Sequence, residues 1–156
     1  MDRSIESKLA DELAIRSLVA RYCHAIAERD DVAWADTFAV DAEWRVFGQE
    51  VRGRDAILAL YLKLVAGARW VVQVATDGLI ELAGDEASGR WQIREDIQTQ
   101  DGRALVNMGH YRDRYRRDPD GVWRFTRRDF RFSYSGPPDL SAESRPPEGW
   151  KRDSKA

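Results

Sequence analysis

Four polar side chains stand in segments that otherwise predict apolar strand faces. They are Gln73, Glu95, Asn107 and Arg128, and alternate positions along each predicted strand carry large apolar residues. An unpaired buried amide costs about 1–3 kcal/mol, and an unpaired buried charge costs more. The four residues therefore either pair for structural reasons, with Glu95 and Arg128 as a buried ion pair, or meet in an apolar pocket that holds a small molecule. The residues alone leave both interpretations open.

Glu95 is the member of this set that could carry a proton. It shares its predicted strand face with Trp91, Ile93 and Ile97. Burial among these side chains would raise the pKa of its carboxyl group toward neutrality, which suits proton transfer. A neighbouring Arg128 would oppose that shift, so the outcome depends on the separation of the two groups.

The elements that must position these residues begin with helices. Apolar residues spaced at three and four predict an amphipathic helix over residues 5–28, a short second helix over 32–38 and a third over 54–66. Between the second and third helices, residues 43–47 alternate as a strand does. Residues 48–53 predict a turn with a short returning strand.

After Gly67 the apolar period changes from 3.6 to 2, which predicts a run of strands. The hairpin signal Asp101-Gly102 and the turn at 119–121 connect them. The predicted strands are residues 70–82, 89–99, 104–116 and 122–135. Helices followed by long strands joined by hairpins predict an α+β fold in which a curved antiparallel sheet wraps the N-terminal helices.

Length and composition favour one globular domain, which we place at residues 1–135, with a proline-rich tail at 136–156. The tail is expected to be disordered, extended or packed on a neighbouring subunit. The 25 basic and 27 acidic residues are interspersed, with a net charge of −2, so no nucleic-acid partner is expected. One cysteine and two histidines predict no metal site. Neither a signal peptide nor an apolar run of membrane-spanning length is visible, so we expect a cytoplasmic protein without a membrane partner.

The sequence resembles the SnoaL-like group of the nuclear-transport-factor-2-like superfamily, which includes polyketide cyclases, scytalone dehydratase and hexachlorocyclohexane dehydrochlorinase. The resemblance covers residues 5–135 and is carried by LVARYCHAIA (18–27), DAEW (41–44), GHYRDRY (109–115) and DGVWRFTRR (120–128). It implies a cone-shaped fold and an enclosed pocket for a hydrophobic small molecule, with no cofactor. It also implies a homo-dimer or homo-trimer, to which we assign His110 as a subunit contact.

In the dehydrochlorinases, an aspartate on the first helix holds a histidine on the strand after the third helix, and that histidine removes a proton. By this resemblance Ala27 and Gln73 occupy the two positions, so both members of the dyad are absent. Gln73 cannot take up a proton at neutral pH and can only orient or polarise a substrate. The arginine that helps the leaving group corresponds to Arg128, and the pocket tryptophan corresponds to Trp44.

We therefore predict an enzyme of the lyase, dehydratase, isomerase or cyclase type that acts on an aromatic or polycyclic molecule. Glu95 moves the proton, Tyr22 and Gln73 position the substrate oxygen, and Arg128 supports the leaving group. The residues predicted to shape the pocket are Trp44, Trp91, Asn107, Tyr111, Phe130 and Phe132. Two alternatives stay open: a binding protein that lost catalysis with the dyad, and a structural subunit like those of ring-hydroxylating dioxygenases. A structural subunit should have its cavity filled, and a binder should have it open without a convergent acid–base pair.

Overall fold

Three helices precede the long strands, as predicted. The structure is a computed structural model that describes residues 4–145. Its helices are α1 (Ile5–Glu28), α2 (Asp31–Asp36) and α3 (Arg54–Val65). The Ser4 side chain caps α1 by accepting a hydrogen bond from the Ser7 amide at 3.2 Å. The prediction that the second helix reaches Phe38 is wrong, because Phe38 already pairs with a strand.

Six strands form one sheet in the order β2-β1-β6-β5-β4-β3. They are β1 (Phe38–Val46), β2 (Gln49–Arg52), β3 (Ala68–Ala83), β4 (Glu86–Thr99), β5 (Ala104–Arg117) and β6 (Trp123–Gly136). The predicted α+β class is confirmed, although the sheet is mixed, because β1 runs parallel to β6 while every other pairing is antiparallel.

The hydrophobic core lies between the helices and one face of the sheet, which we call the inner face. Helix α1 packs on β3 and β6, and its aromatic and aliphatic side chains form part of this core. The largest fully buried apolar side chains are Ile15, Leu18, Tyr22, Trp34, Phe38, Ile57, Val106, Tyr115 and Phe125. With the exception of Val106, all of these belong to the core beneath the helices. The opposite side of the sheet is the outer face.

Two bulges in the β5–β6 pairing break the strict alternation predicted for β6. Arg114 pairs with Arg127 while the next residue, Tyr115, pairs with Phe125, so one residue of β6 is extra. Phe125 therefore lies on the inner face and is fully buried, although simple alternation placed it with Arg127.

The second bulge separates Phe132, which pairs with Gly109, from Tyr134, which pairs with Met108. Gly109 has to be glycine here, because a Cβ atom would lie 2.1 Å from the carbonyl oxygen of Arg131. Phe132 and Tyr134 therefore lie on opposite faces of the sheet, although strict alternation along β6 would put them on one face.

The first part of the predicted tail packs back on the sheet. The Tyr134 hydroxyl donates a hydrogen bond to the Pro137 carbonyl at 2.6 Å, and the Arg145 amide donates to the Ser133 carbonyl at 2.7 Å. Pro146, Pro147 and the rest of the predicted tail lie outside the described residues. His110 is half-buried on the outer face, and the homo-dimer or homo-trimer stays a prediction. Between residues 4 and 145, no helix is long and apolar enough to cross a membrane.

Candidate active site

A cavity of about 470 Å³ opens between the inner face of the sheet and helices α1 and α3. Its wall is mostly aromatic and aliphatic, and its polar atoms come from a few inward-pointing positions. The wall residues from the helices and β1 are Tyr22, Ile26, Trp44, Val46, Tyr61, Leu64 and Val65. Those from the long strands are Ala68, Val71, Gln73, Ile93, Glu95, Ile97, Thr99, Leu105, Asn107, Tyr111, Phe130 and Phe132. A cavity of this size accommodates a drug-sized molecule.

Glu95 is held in the cavity wall by two side-chain amides. Gln73, Glu95 and Asn107 stand directly opposite one another across β3, β4 and β5. The carboxylate accepts hydrogen bonds from Gln73 Nε2 at 2.8 Å and from Asn107 Nδ2 at 2.9 Å. The Asn107 carbonyl oxygen in turn accepts from the Ser135 hydroxyl at 2.8 Å. The glutamine within an apolar strand is thus explained, because it supports an inward-facing acid.

The pKa of Glu95 lies above its usual value. Burial in the apolar wall is the main cause, and the hydrogen bonds from Asn107 and Gln73 oppose it without cancelling it. Those donors are neutral, and within the described chain no cation forms an ion pair with the carboxylate. Glu95 can therefore exist in both protonation states nearer to neutrality than an exposed glutamate, as a proton carrier requires.

Two tyrosine hydroxyls lie together in the same cavity. Tyr22 Oη and Tyr111 Oη are 3.5 Å apart, and Trp44 Nε1 lies 3.4 Å from the Tyr111 hydroxyl. Burial raises the pKa of both phenols, so both stay protonated and can donate hydrogen bonds. The pair can bind an oxygen atom of a substrate, whether a carbonyl or a departing hydroxyl.

Arg128 does not reach the cavity wall, contrary to the role predicted for it. It is fully buried and forms a two-point ion pair with Asp113, at 3.0 Å and 3.1 Å. The rings of Tyr22, Tyr111 and Phe125 cover its guanidinium, with ring centres 3.7–4.2 Å from Cζ. Burial acts to lower the pKa of Arg128, but Asp113 and the phenols outweigh it, so the group stays charged.

The alternative prediction of a Glu95–Arg128 ion pair is wrong, because the register of β5 and β6 places Asp113, not Glu95, opposite Arg128. Asp113 lies two residues after Tyr111 on one strand, so alternation puts both side chains on the same face. Its pairing with Arg128 was missed because periodicity does not determine which residues of two strands lie opposite each other.

Trp91 also lies outside the cavity wall, although we predicted it to shape the pocket. Its ring packs on Gly78, where a Cβ atom would come within 2.3 Å of the indole. Its Nε1 donates a hydrogen bond to the Tyr115 hydroxyl at 2.8 Å. A bulge in β3 at Asp77 and Gly78 opens this space next to Trp91, and alternation alone could not predict that bulge.

Two buried polar atoms at the cavity have no hydrogen-bond partner within the described chain: Gln73 Oε1 and Tyr61 Oη. The Tyr61 ring stacks on Trp34 at a centroid distance of 4.0 Å, and burial raises its pKa to about 12. Tyr61 was not among the predicted site residues, because in the sequence it is one member of the apolar stripe of the third helix. The signal that could have identified it is its hydroxyl, which stands alone among aliphatic neighbours.

By the resemblance, the position of the dyad aspartate on α1 is Ala27. Ala27 is exposed, and the α1 residue that lines the cavity next to it is Ile26, which is 3% exposed. Neither side chain can hold a histidine. No wall residue in the described part of the chain is a histidine, and His24 is exposed. The acids at the cavity are Glu95 and Asp101, the latter at the entrance in an ion pair with Arg103 at 2.9 Å.

Comparison with known proteins gives one family match and several similar structures. A sequence model of the SnoaL-like domain matches residues 7–129. No curated protein matches the chain significantly. A variant of Rv3472, a protein of unknown function from Mycobacterium tuberculosis, is 32% identical with a TM-score of 0.72, over 80% of this chain and 77% of that one.

Two further solved structures are less similar in sequence and share the fold. A protein provisionally described as a scytalone dehydratase, from Novosphingobium aromaticivorans, is 20% identical with a TM-score of 0.82, over 96% of this chain and all of that one. The hexachlorocyclohexane dehydrochlorinase LinA-type3 from Novosphingobium barchaimii is 24% identical with a TM-score of 0.78, over 92% of this chain and 99% of that one.

Proposed function

The chain belongs to the SnoaL-like domain family, and from that premise we propose that it is an enzyme acting by general acid–base chemistry on a hydrophobic, oxygen-bearing small molecule. The reaction is an elimination of the lyase or dehydratase type, or an isomerisation or ring closure that moves a proton in the same way. The observation that carries this proposal is Glu95, an acid with a raised pKa in an apolar cavity wall.

For elimination of water, the ionised Glu95 carboxylate removes a proton from a substrate carbon. The electrons of the broken C–H bond form the new carbon–carbon double bond, and the carbon–oxygen bond to the departing hydroxyl breaks. Glu95 then returns the proton to that oxygen, which leaves as water. Gln73 and Asn107 hold both carboxylate oxygens, so the acid keeps one orientation through both steps. In an isomerisation the proton returns to another carbon instead.

The tyrosine pair takes the part that was predicted for Arg128. A substrate oxygen placed between the Tyr22 and Tyr111 hydroxyls would receive a hydrogen bond as negative charge develops on it. Both rings lie on the Arg128 guanidinium, whose positive charge favours a more polarised phenol. Arg128 therefore acts behind these rings and does not touch the substrate.

The unpaired atoms at the cavity favour a substrate that carries oxygen over a pure or halogenated hydrocarbon. Gln73 Oε1 can accept a hydrogen bond from a substrate hydroxyl, and Tyr61 Oη can donate to a substrate oxygen. Filling either would recover part of the roughly 1–3 kcal/mol that an unpaired buried polar atom costs. The aromatic wall formed by Trp44, Phe130 and Phe132 suits an aromatic or polycyclic body.

The proposal is tested with a β-hydroxy ketone fused to an aromatic ring. Loss of water from 3-hydroxy-1-tetralone gives 1-naphthol after tautomerisation, and the product is followed by its fluorescence. Glu95→Gln should lower turnover at least about 100-fold, the usual contribution of a general acid or base. The matched control is Asp96→Asn, which removes the neighbouring carboxylate from the outer face, where it pairs with Arg94. Equal turnover in wild type and Glu95→Gln would refute the mechanism.

A binding protein is the second candidate, favoured because the resemblance puts Ala27 and Gln73 at the dyad positions of the dehydrochlorinases, and neither side chain can take up a proton. It predicts tight binding of 1-naphthol, read from tryptophan fluorescence, in both wild type and Glu95→Gln, with no turnover in either. The structural-subunit alternative is disfavoured, because an open cavity of about 470 Å³ takes the place of the filled core that it requires.

A further inference from the structure

Five arginines cluster on the outer face of the sheet, away from the cavity. They line a second, shallower hollow of about 590 Å³. We call this cluster the arginine array; its members are Arg90 on β4, Arg112 and Arg114 on β5, and Arg127 and Arg131 on β6. The catalytic proposal uses none of these residues, and their side chains point away from Glu95.

The strand register places several of these like charges directly side by side. Arg90 pairs across the sheet with Arg112, and Arg114 pairs with Arg127. Like charges at directly opposite positions destabilise a sheet. The array therefore needs counter-charges, either from within the chain or from outside it.

The chain supplies counter-charges for only part of the array. Asp129 lies 2.9 Å from Arg131 and 3.9 Å from Arg127, and Glu43 lies 3.7 Å from Arg127. Asp129 also stands directly opposite Arg112 across β5 and β6. In the described part of the chain, however, no acid forms an ion pair within 4 Å with the three exposed members Arg90, Arg112 and Arg114. Glu81 lines the same hollow but forms no ion pair with them.

Burial and the excess of positive charge both lower the pKa of a neighbouring histidine, His110. His110 pairs across the sheet with Arg131. Burial is the main cause of its lowered pKa, and the charges of Arg112, Arg131 and Arg90 lower it further, while Asp129 acts in the opposite direction. The positive potential at the array therefore extends to a side chain on its border.

We propose that the arginine array is a binding site for a small, multiply charged oxyanion of the phosphate class, either free or carried on a small molecule. A guanidinium presents two parallel N–H donors that match the oxygen atoms of a tetrahedral oxyanion, and charge-assisted hydrogen bonds of this kind are the strong ones. Three neighbouring guanidiniums that form no ion pair with the described residues supply both the charge and the geometry.

The dimensions of the array favour a small ligand over a polymer or a membrane. From β4 to β6 it spans two strand spacings, about 10 Å, and along the strands, from Arg114 to the level of Arg131, it spans four residues, about 13 Å. Acidic residues limit it on both sides, with Glu81 on β3 and Glu43 on β1. A duplex or a lipid surface would place its negative charges against these carboxylates.

The test uses the full-length protein and isothermal titration calorimetry at constant ionic strength. Pyrophosphate and inorganic phosphate probe the free anion, and glycerol 3-phosphate probes an anion carried on a small molecule. The double variant Arg112→Gln/Arg114→Gln should bind the best of these at least about tenfold more weakly. The control is Arg94→Gln, on the same face but paired with Asp96, which should bind as wild type does.

Thermal unfolding provides a second measurement that does not depend on detecting heat. The same anion should raise the melting temperature of the wild type more than that of the double variant, because a ligand that binds only the folded state stabilises it. The double variant should fold, since both replaced side chains are exposed and their removal relieves repulsion.

Three results would overturn the proposal. The first is no saturable binding of any of the three anions to the wild type, and the second is equal binding by the double variant. The third is a change of molecular mass in light scattering for the double variant without any change in anion affinity, which would make the array a contact between copies of the chain. None of these results bears on Glu95, so the catalytic proposal is judged separately.

Discussion

Removing one partner of the buried Asp113–Arg128 ion pair should destabilise the protein far more than removing both. Both side chains are completely buried, and two hydrogen bonds join them. Asp113→Leu would leave the guanidinium buried without a counter-charge, which costs about 3–5 kcal/mol. The aromatic rings that cover Arg128 remain in this variant and each offset a little of that cost, so the lower end of the range is expected.

Arg128→Met leaves the opposite charge unpaired. The Asp113 carboxylate would keep only the hydrogen bond from the Tyr115 hydroxyl at 3.1 Å, so a loss at the upper end of about 3–5 kcal/mol is expected. The double variant Asp113→Leu/Arg128→Met replaces the pair by apolar groups and should recover most of the stability. It leaves the Tyr115 hydroxyl proton without an acceptor, which costs about 1–3 kcal/mol.

The assay is urea unfolding followed by tryptophan fluorescence, with the free energies compared in a double-mutant cycle. We expect a coupling energy between Asp113 and Arg128 of at least about 3 kcal/mol. Simple addition of the two single losses in the double variant would refute the reasoning. It would mean that the two side chains do not depend on each other for compensation of their charges.

Three further predictions concern the cavity and the sheet. Burial raises the folded-state pKa of Glu95 above its usual value of 4.5, so its stabilising contribution is complete below that pH and is lost as the pH rises through the folded pKa. The free energy of unfolding of Glu95→Gln, relative to that of wild type, should therefore be larger at pH 7 than at pH 4 in thermal unfolding. The increase should be about 1.4 kcal/mol for each pH unit between the folded-state and unfolded-state pKa. A pH-independent difference would contradict this. Tyr61→Phe keeps the stack on Trp34 and removes an unpaired hydroxyl, so stability should stay the same or rise while 1-naphthol binds about tenfold more weakly. A loss of stability would instead reveal a structural partner for that hydroxyl. Gly109→Ala should cost about 1–3 kcal/mol in urea unfolding, because its Cβ would overlap the Arg131 carbonyl oxygen; an unchanged midpoint would count against the bulge.

The helices and strands were predictable because their apolar periods run over many residues. The bounds of α1 are as predicted, and the strands β3 to β6 begin and end within three residues of the prediction. The side chains of β6 were the exception. Phe125 turned inward because a bulge follows it, and Tyr134 turned outward because a bulge precedes it. A bulge depends on pairing with the partner strand, which the alternation of a single strand does not show.

For the candidate site, the face on which a residue lies was predictable, but its partner on the next strand was not. Alternation placed Gln73, Glu95 and Asn107 on inward faces, and the structure brings them into one row across the sheet. The partner of Arg128 was not predictable, because β5 offers several polar residues and only the register selects Asp113. Tyr61 was missed for another reason: the apolar stripe of a helix shows which side is buried, but not which part of that side faces a cavity.

The pairing of Arg128 with Asp113 determines what kind of chemistry the cavity can support. An arginine in contact with Glu95 would lower the pKa of that acid by about 1–3 pH units and hold it ionised. Because Asp113 neutralises the guanidinium, and the rings of Tyr22 and Tyr111 cover it, Glu95 is left among neutral donors, and burial raises its pKa. Among the described residues, the cavity wall thus combines one buried carboxyl group with three protonated phenols, those of Tyr22, Tyr61 and Tyr111. Such an arrangement favours a neutral substrate from which a proton is removed. It disfavours an anion that would be bound through its charge.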